Sequence, residues 1–186
     1  GVYAEVVQIV ADPAAGINSI ADLKGKSVSV GDAGSGVEFN AKQILEAYGL
    51  TFDDISKQNL SFSAPADAYK DNKVDAFFCS ARATSTAVME LMTNRKIKIL
   101  GIYDDKSQKL IQDFPFYTVF YIPKGTYKGV DDDVKTLAVK ATFIVSNELD
   151  EDVVYKMTKA LFEEKDAIAA AHAKGKEIDP KYAVEG

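Results

Sequence analysis

The stretch Ser27–Leu45, SVSVGDAGSGVEFNAKQIL, predicts a short buried strand, a glycine-rich turn and a helix. Ser27–Val30 alternates valines with serines, as strands do, and the helix begins near Val37. A strand that passes into a helix through small residues leaves backbone N–H groups free at the start of the helix. Those groups and the helix dipole attract an anion such as a carboxylate or a phosphate. The loop at residues 31–38 is therefore the first candidate for a binding site.

Strand-like and helix-like segments alternate from Ser27 to Phe114, with short connections. Val74–Cys79, VDAFFC, is a continuous apolar run of the type that is buried on both faces of a parallel sheet. This alternation predicts an α/β fold with a doubly wound, mainly parallel sheet and right-handed crossovers. Further strands are predicted at 6–10, 60–62, 97–102, 116–122 and 137–145. The helix predicted at 150–164 has an apolar side, which we expect to be buried, formed by Val153, Val154, Met157, Ala160 and Leu161.

The composition limits the class of partner. The chain has 186 residues, of which 47% are hydrophobic and 27% charged, and its net charge is −6 at pH 7. The size suits one domain or two small ones, and the acidic balance argues against a nucleic-acid partner or an anionic membrane surface. No apolar run reaches the roughly 18–20 residues of a membrane span, so no direct membrane insertion is predicted. The single cysteine, Cys79, excludes an intrachain disulfide.

The loop at 31–38 departs from two common phosphate-binding patterns. No Gly-Lys-Ser/Thr follows it, and no acidic residue closes a second strand about 20 residues further on. The plain alternative is a structural turn, although ligands generally bind at the carboxyl ends of parallel strands. As ligand-binding groups we expect the hydroxyl of Ser35 and the N–H groups of Gly36 and Val37. Glu38 either takes an ammonium group of the ligand or supports the helix through its dipole.

A second loop, at residues 80–85, also follows a buried strand and precedes a helix, so we expect it beside the first. Ser80, Arg82 and Thr84 are its candidate binding residues, and Arg82 could hold a carboxylate with two hydrogen bonds. The alternative for Arg82 is a side chain that faces solvent. Tyr117 is a candidate for the floor of a cleft, and its alternative is ordinary core packing.

The remaining reactive residue types form no catalytic or metal-binding pattern. His172 has no second histidine or cysteine at ligand spacing, and Cys79 lies in an apolar strand. The acidic runs at 53–54 and 131–133 lack the spacing of a calcium loop. No nucleophile, base and orienting residue can be grouped. We therefore predict no catalytic residue, no metal and no cofactor.

Several segments together resemble one family of receptors. Ser19–Gly31, SIADLKGKSVSVG, resembles an element of type II periplasmic solute-binding proteins. Four further segments resemble the TAXI family of TRAP-transporter solute receptors: YAEVVQIV at 3–10, GSGVE at 34–38 with AKQIL at 41–45, FPFY at 114–117 with IPKGTY at 122–127, and VVYKMTKALF at 153–162 with AAAH at 169–172. The resemblance covers nearly the whole chain, and the order and spacing of the segments make it specific.

The resemblance implies a division into two lobes. Residues 1–11 would be a crossover strand, 12–115 the ligand-binding lobe 2, 116–127 the return crossover strand, and 128–186 the C-terminal portion of lobe 1. Family members carry a further N-terminal stretch that belongs to lobe 1. We therefore expect lobe 1 to be incomplete here, and the loop at 31–38 to be formed and exposed.

The resemblance also implies a function. The protein would be a non-catalytic, periplasmic or extracytoplasmic receptor whose signal peptide lies outside this chain. It would close two lobes around a small anionic solute, such as glutamate, glutamine or a dicarboxylate, and pass it to the membrane permease subunits of a TRAP transporter. Two alternatives use the same fold. One is an enzyme that acts on a carboxylated metabolite, and the other is the effector-sensing domain of a regulator.

Overall fold

The computed structural model describes residues 1–61, 63–81 and 83–183, and its chain divides into two units. The larger unit is Val6–Ala138. The smaller unit combines Gly1–Glu5 with the chain from Val139 onward.

A mixed sheet forms the centre of the larger unit. Within the described residues its strand order is β3-β2-β4-β1-β7-β6, and β5 also pairs with β1. The central strand β1 carries the run VVQIVA, which is buried from Val6 to Ala11. The strands are β1 (Tyr3–Ala11), β2 (Ser27–Ser29), β3 (Ser56–Gln58), β4 (Ala76–Ala81), β5 (Lys98–Ile99), β6 (Thr118–Ile122) and β7 (Val134–Ala141).

The predicted fold class, a type II periplasmic-binding-protein-like α/β fold, is confirmed. The parallel pairs are β2 with β3 and β2 with β4. β1 runs antiparallel to β4 and β5, and β6 runs antiparallel to β7, so the sheet is mixed and not mainly parallel as predicted. The strand predicted at 60–62 is displaced, because β3 lies at Ser56–Gln58; Leu60 and Ser61 are irregular and Phe62 lies outside the described residues.

The helices of the larger unit cover the sheet, and the first one begins and ends as its sequence indicates. Ser35 is the N-cap of α1, and its side chain accepts a hydrogen bond from the Glu38 N–H. Gly49 follows the last turn with φ of +76°, as expected of a helix-terminating glycine. The helices of this unit are α1 (Gly36–Ala47), α2 (Ala64–Lys70), α3 (Thr86–Asn94) and α4 (Asp104–Asp113).

The smaller unit contains α5 (Glu151–Glu163), α6 (Lys165–Ala171) and α7 (Pro180–Ala183). Asp150 caps α5 and accepts a hydrogen bond from the Asp152 N–H. The prediction that α5 buries its apolar side is wrong for the described residues, since Val153 is 42% and Met157 is 41% exposed. No described residue of α5 is buried, so its apolar side is only partly covered. An apolar groove of about 580 Å³ lies here, lined in part by Phe143, Val154 and Leu161.

The chain passes between the two units within β1 and β7. The segment predicted to be the return crossover strand, 116–127, contains β6 and lies within the larger unit. No helix in the described part of the chain combines the length and the apolar character needed to cross a membrane.

Candidate functional site

A cavity of about 420 Å³ opens in the larger unit where β2 and β4 end and where three helices begin. The two predicted loops both contribute to it, which confirms that they are neighbours. Apolar side chains form most of its wall, and serine hydroxyls interrupt them. The lining residues are Gly31, Asp32, Ser35, Val37, Leu60, Ser61, Pro65, Ala66, Phe77, Phe78, Cys79, Ser80, Ala81, Ser85, Ala87 and Val88.

The loop at 31–38 is held in a tight conformation by two glycines. Gly31 and Gly34 have φ of +89° and +76°, a region that side chains with a Cβ rarely adopt. A Cβ at Gly31 would lie only 2.6 Å from Cβ of Val37. Glycine at this position therefore allows the loop after β2 to pass close to the first turn of α1 at the edge of the cavity.

Glu38 stabilises the loop through its carboxylate. The carboxylate accepts hydrogen bonds from the Gly34 N–H at 2.7 Å, Asn59 Nδ2 at 3.0 Å and Lys57 Nζ at 3.0 Å. These three donors, in this order of importance, lower the pKa of Glu38 to about 2. Its cationic partner is thus Lys57 of the same chain. This geometry favours a supporting role over direct contact with an ammonium group.

Two backbone donors at the start of α1 remain available. Within the described residues, the N–H groups of Gly36 and Val37 donate to no protein acceptor, while the next N–H, of Glu38, donates to Ser35. Gly36 is exposed, and Val37 and Ser35 line the cavity. Asp32 also belongs to the lining, but its side chain is exposed to solvent. An anion would therefore be best placed against Ser35 and the first turn of α1.

The loop at 80–85 supplies the facing wall. Ser80 lines the cavity, and its hydroxyl accepts a hydrogen bond from Asn40 Nδ2 at 3.1 Å. Ser85 also lines the cavity, whereas Thr84 is exposed and is not part of the lining. Arg82 lies outside the described residues.

A buried tyrosine holds this second loop in place. The hydroxyl of Tyr127 accepts a hydrogen bond from the Ser85 N–H at 3.0 Å and donates to Oε1 of Gln8 on β1. Burial raises the pKa of Tyr127 to about 12, so the hydroxyl stays protonated and remains a donor. The wall at Ser85 is thereby tied to the central strand of the sheet.

Tyr117, predicted to line a cleft floor, is instead buried in the larger unit, with only 1% of its surface exposed. Its ring packs against Phe114 and Phe116, and its hydroxyl hydrogen-bonds to Asn40 at 2.8 Å and Gln43 at 2.7 Å. Burial raises the pKa of the hydroxyl. The ring packs in the core because aromatic neighbours surround it, and its hydroxyl reaches the site only through α1.

Sequence reasoning missed the residues that support the two loops, chiefly Asn40, Asn59 and Tyr127. For Asn40 a signal exists. Asn40 and Gln43 are one helical turn apart and lie among the buried residues Ala41 and Ile44, and buried amides need partners. Asn59 and Tyr127 have partners that are distant in sequence, so no local pattern indicated them. Among the described residues, no cluster of three or more histidine, cysteine, aspartate or glutamate side chains could hold a metal ion.

Comparisons with known proteins give a family and a set of similar folds. A family model described as the NMT1-like family matches residues 1–186. Among solved structures, the chain is similar to the alkanesulfonate-binding protein SsuA from Xanthomonas axonopodis pv. citri bound to MOPS, with 22% identity over 54% of this chain and 35% of that chain, and a TM-score of 0.42.

Two further solved structures extend the comparison. The periplasmic aliphatic sulphonate binding protein SsuA from Escherichia coli shares 25% identity over 53% of this chain and 33% of that chain, with a TM-score of 0.42. An ancestral arginine-binding protein bound to glutamine shares 20% identity over 97% of this chain and 60% of that chain, with a TM-score of 0.48. The chain thus spans 33–35% of the length of the two sulfonate-binding proteins and 60% of the arginine-binding protein.

Proposed function

This chain belongs to the NMT1-like family, and we propose that it is a non-catalytic solute-binding receptor for a small anion. One observation carries the proposal: the cavity between the loops at 31–38 and 80–85. It combines apolar walls with backbone donors at the start of α1, and its volume of about 420 Å³ suits a small molecule. The proposed solute-contacting groups are the Ser35 hydroxyl, the N–H groups of Gly36 and Val37, and the Ser80 hydroxyl.

The solute class follows from these donors. Free N–H groups and the positive end of a helix dipole favour a carboxylate or another oxyanion. We propose glutamate, glutamine or a dicarboxylate as the solute. Arg82 would add a bidentate contact in this proposal, because it belongs to the same loop as Ser80.

The partner and location are also proposals. The larger unit would supply one wall of the binding cleft. The receptor would work outside the cytoplasm and deliver its solute to the permease subunits of a TRAP-type transporter. The segments at 3–10, 34–45, 114–127 and 153–172, which resemble TAXI receptors, support this partner.

Calorimetric titration tests the proposal. The purified protein is titrated with L-glutamate, L-glutamine, succinate and ethanesulfonate, and at least one anion should give saturable heat. Gly36→Asp should abolish that heat, because it places a like charge at the proposed donors. A Cβ at Gly36 meets no atom within 4 Å, so the fold should be kept, as circular dichroism can show.

Ala14→Asp is the matched control, because it adds the same charge at an exposed position of the same unit that is not part of the cavity lining. It should bind as the wild type does. Flat heats for every anion, or equal binding by the two aspartate variants, would refute the proposed function.

A further inference from the structure

A buried hydrogen-bonded chain runs from Tyr117 to the wall of the cavity. The Tyr117 hydroxyl lies 2.8 Å from Oδ1 of Asn40, and Nδ2 of Asn40 donates to the Ser80 hydroxyl at 3.1 Å. Tyr117 is 1% exposed and Asn40 6% exposed, so both are shielded from water. Ser80 is the last residue of this hydrogen-bonded chain, and it lines the cavity.

The polarity of this chain decides what Ser80 can offer. A serine hydroxyl has one proton to donate and two lone pairs that can accept. The Asn40 amide occupies a lone pair of Ser80, because its NH₂ is the donor. In the described part of the chain, the Ser80 hydroxyl donates to no protein acceptor. Its proton is therefore left for an occupant of the cavity.

Tyr117 sets the orientation of Asn40. A side-chain amide presents an oxygen on one side and an NH₂ group on the other, and a turned amide would exchange the two. The Tyr117 hydroxyl has one proton and two amide oxygens within reach, Oδ1 of Asn40 at 2.8 Å and Oε1 of Gln43 at 2.7 Å. When that proton goes to Oδ1 of Asn40, the NH₂ group of Asn40 faces Ser80. A turned amide would instead accept the Ser80 proton and leave only lone pairs toward the cavity.

We propose that Asn40 and Tyr117 are positioning residues that fix Ser80 as a hydrogen-bond donor, so that this wall selects an acceptor such as an oxyanion oxygen over an N–H donor such as an ammonium group. This inference rests on the proposed function and adds to it a rule of specificity. Neither positioning residue touches the solute.

Binding of inorganic sulfate, which only accepts hydrogen bonds at neutral pH, tests the selection. Ser80→Ala should weaken sulfate binding about tenfold. Asn40→Asp should weaken it at least as much, since a carboxylate only accepts and takes the Ser80 proton. The double variant Ser80→Ala/Asn40→Asp separates the effect of the added charge from the effect on the Ser80 proton. In the Ser80→Ala background, Asn40→Asp should reduce the affinity for sulfate clearly less than it does alone.

Tyr117→Phe removes the anchor of the chain without adding charge, and sulfate binding should weaken several-fold. Tyr69→Phe is its matched control. Tyr69 is equally buried, and its hydroxyl donates to the Lys96 carbonyl at 2.9 Å, away from Ser80. This control should lower stability and leave the affinity for sulfate unchanged.

A measurement without solute tests the hydrogen-bonded chain separately from solute binding. In the ¹⁵N-labelled protein, the side-chain NH₂ signals of Asn40 should shift in both Ser80→Ala and Tyr117→Phe. Signals that do not respond to Ser80→Ala would overturn the hydrogen-bonded chain whatever the protein binds. If the signals respond but the wild type binds neither sulfate nor any titrated anion, the proposed function fails and the selection rule fails with it. If sulfate binds equally to all variants, the positioning role is overturned while the proposed function stands.

Discussion

Replacing Gly31 with alanine is expected to destabilise the protein much more than the same change at Gly34. Both glycines have positive φ, +89° and +76°, so both alanines carry left-handed strain of about 1–2 kcal/mol. Only Gly31→Ala also meets a packed side chain, since its Cβ would lie 2.6 Å from Cβ and 2.8 Å from Cγ1 of Val37. Moving Val37 aside adds about 1–3 kcal/mol.

The free energy of unfolding should therefore fall by about 2–5 kcal/mol for Gly31→Ala and by about 1–2 kcal/mol for Gly34→Ala. Urea unfolding followed by circular dichroism measures both. With a slope of about 1–3 kcal/mol per molar urea, an extra loss of about 2 kcal/mol moves the midpoint by roughly 1 M.

Val37→Gly provides the internal check, because it removes the two nearest of the three atoms that the new methyl group would meet and leaves only Oγ of Ser35, at 3.1 Å. In the double variant, the extra loss due to Gly31→Ala should largely disappear, which a double-mutant cycle measures. Equal losses for the two alanine variants, or no coupling with Val37→Gly, would refute the close approach of Gly31 to α1.

Three further predictions concern other parts of the molecule. The folded-state pKa of Glu38 is lowered from 4.5 to about 2, so the stabilising effect of its carboxylate is full above pH 4.5 and is lost as the pH falls toward 2. The difference in urea midpoint between the wild type and Glu38→Gln should therefore be largest at pH 7 and disappear between pH 4.5 and pH 2. A difference that does not change with pH would contradict this. Tyr127→Phe should lower stability by about 1–3 kcal/mol and speed hydrogen exchange of the Ser85 N–H, whereas unchanged exchange would show that the contact is not formed. Ile44→Ala should lower the free energy of unfolding by about 2–5 kcal/mol, because Ile44 is fully buried. Met157→Ala should lower it by less than about 1 kcal/mol. Similar losses for the two variants would show that the apolar side of α5 is covered.

The strand, turn and helix around the loop at 31–38 could be predicted because their determinants are local. Alternating valines, glycines that take positive φ and a serine N-cap act within a few residues of one another. The direction of β1 could not be predicted in this way. A buried apolar run such as VVQIVA looks the same whether its neighbours run parallel or antiparallel, and the resemblance gave no register.

The residues that support the candidate site could not be predicted from local sequence patterns. The hydroxyl of Tyr117 meets Asn40 across 77 residues, and that of Tyr127 meets Gln8 across 119. The sequence left two surroundings open for Tyr117, a cleft floor and ordinary core packing, because an aromatic strand suits both, and the structure shows the second. For α5, the amphipathic pattern predicts that something covers the apolar side, but the pattern does not say which chain segment does so.

The central position of β1 also sets the timing of folding during synthesis. Its partners arrive late, because Val6 pairs with Ala81 and the Val7 carbonyl accepts a hydrogen bond from Thr136, 129 residues further on. At about 5–20 residues per second, that separation corresponds to a delay on the order of 6 to 26 s. During this interval, the apolar strand β1 lacks at least one of its neighbours, and its unpaired edge is exposed to aggregation. The yield of folded protein should therefore depend on how fast the ribosome completes β7 and on what shields β1 until then.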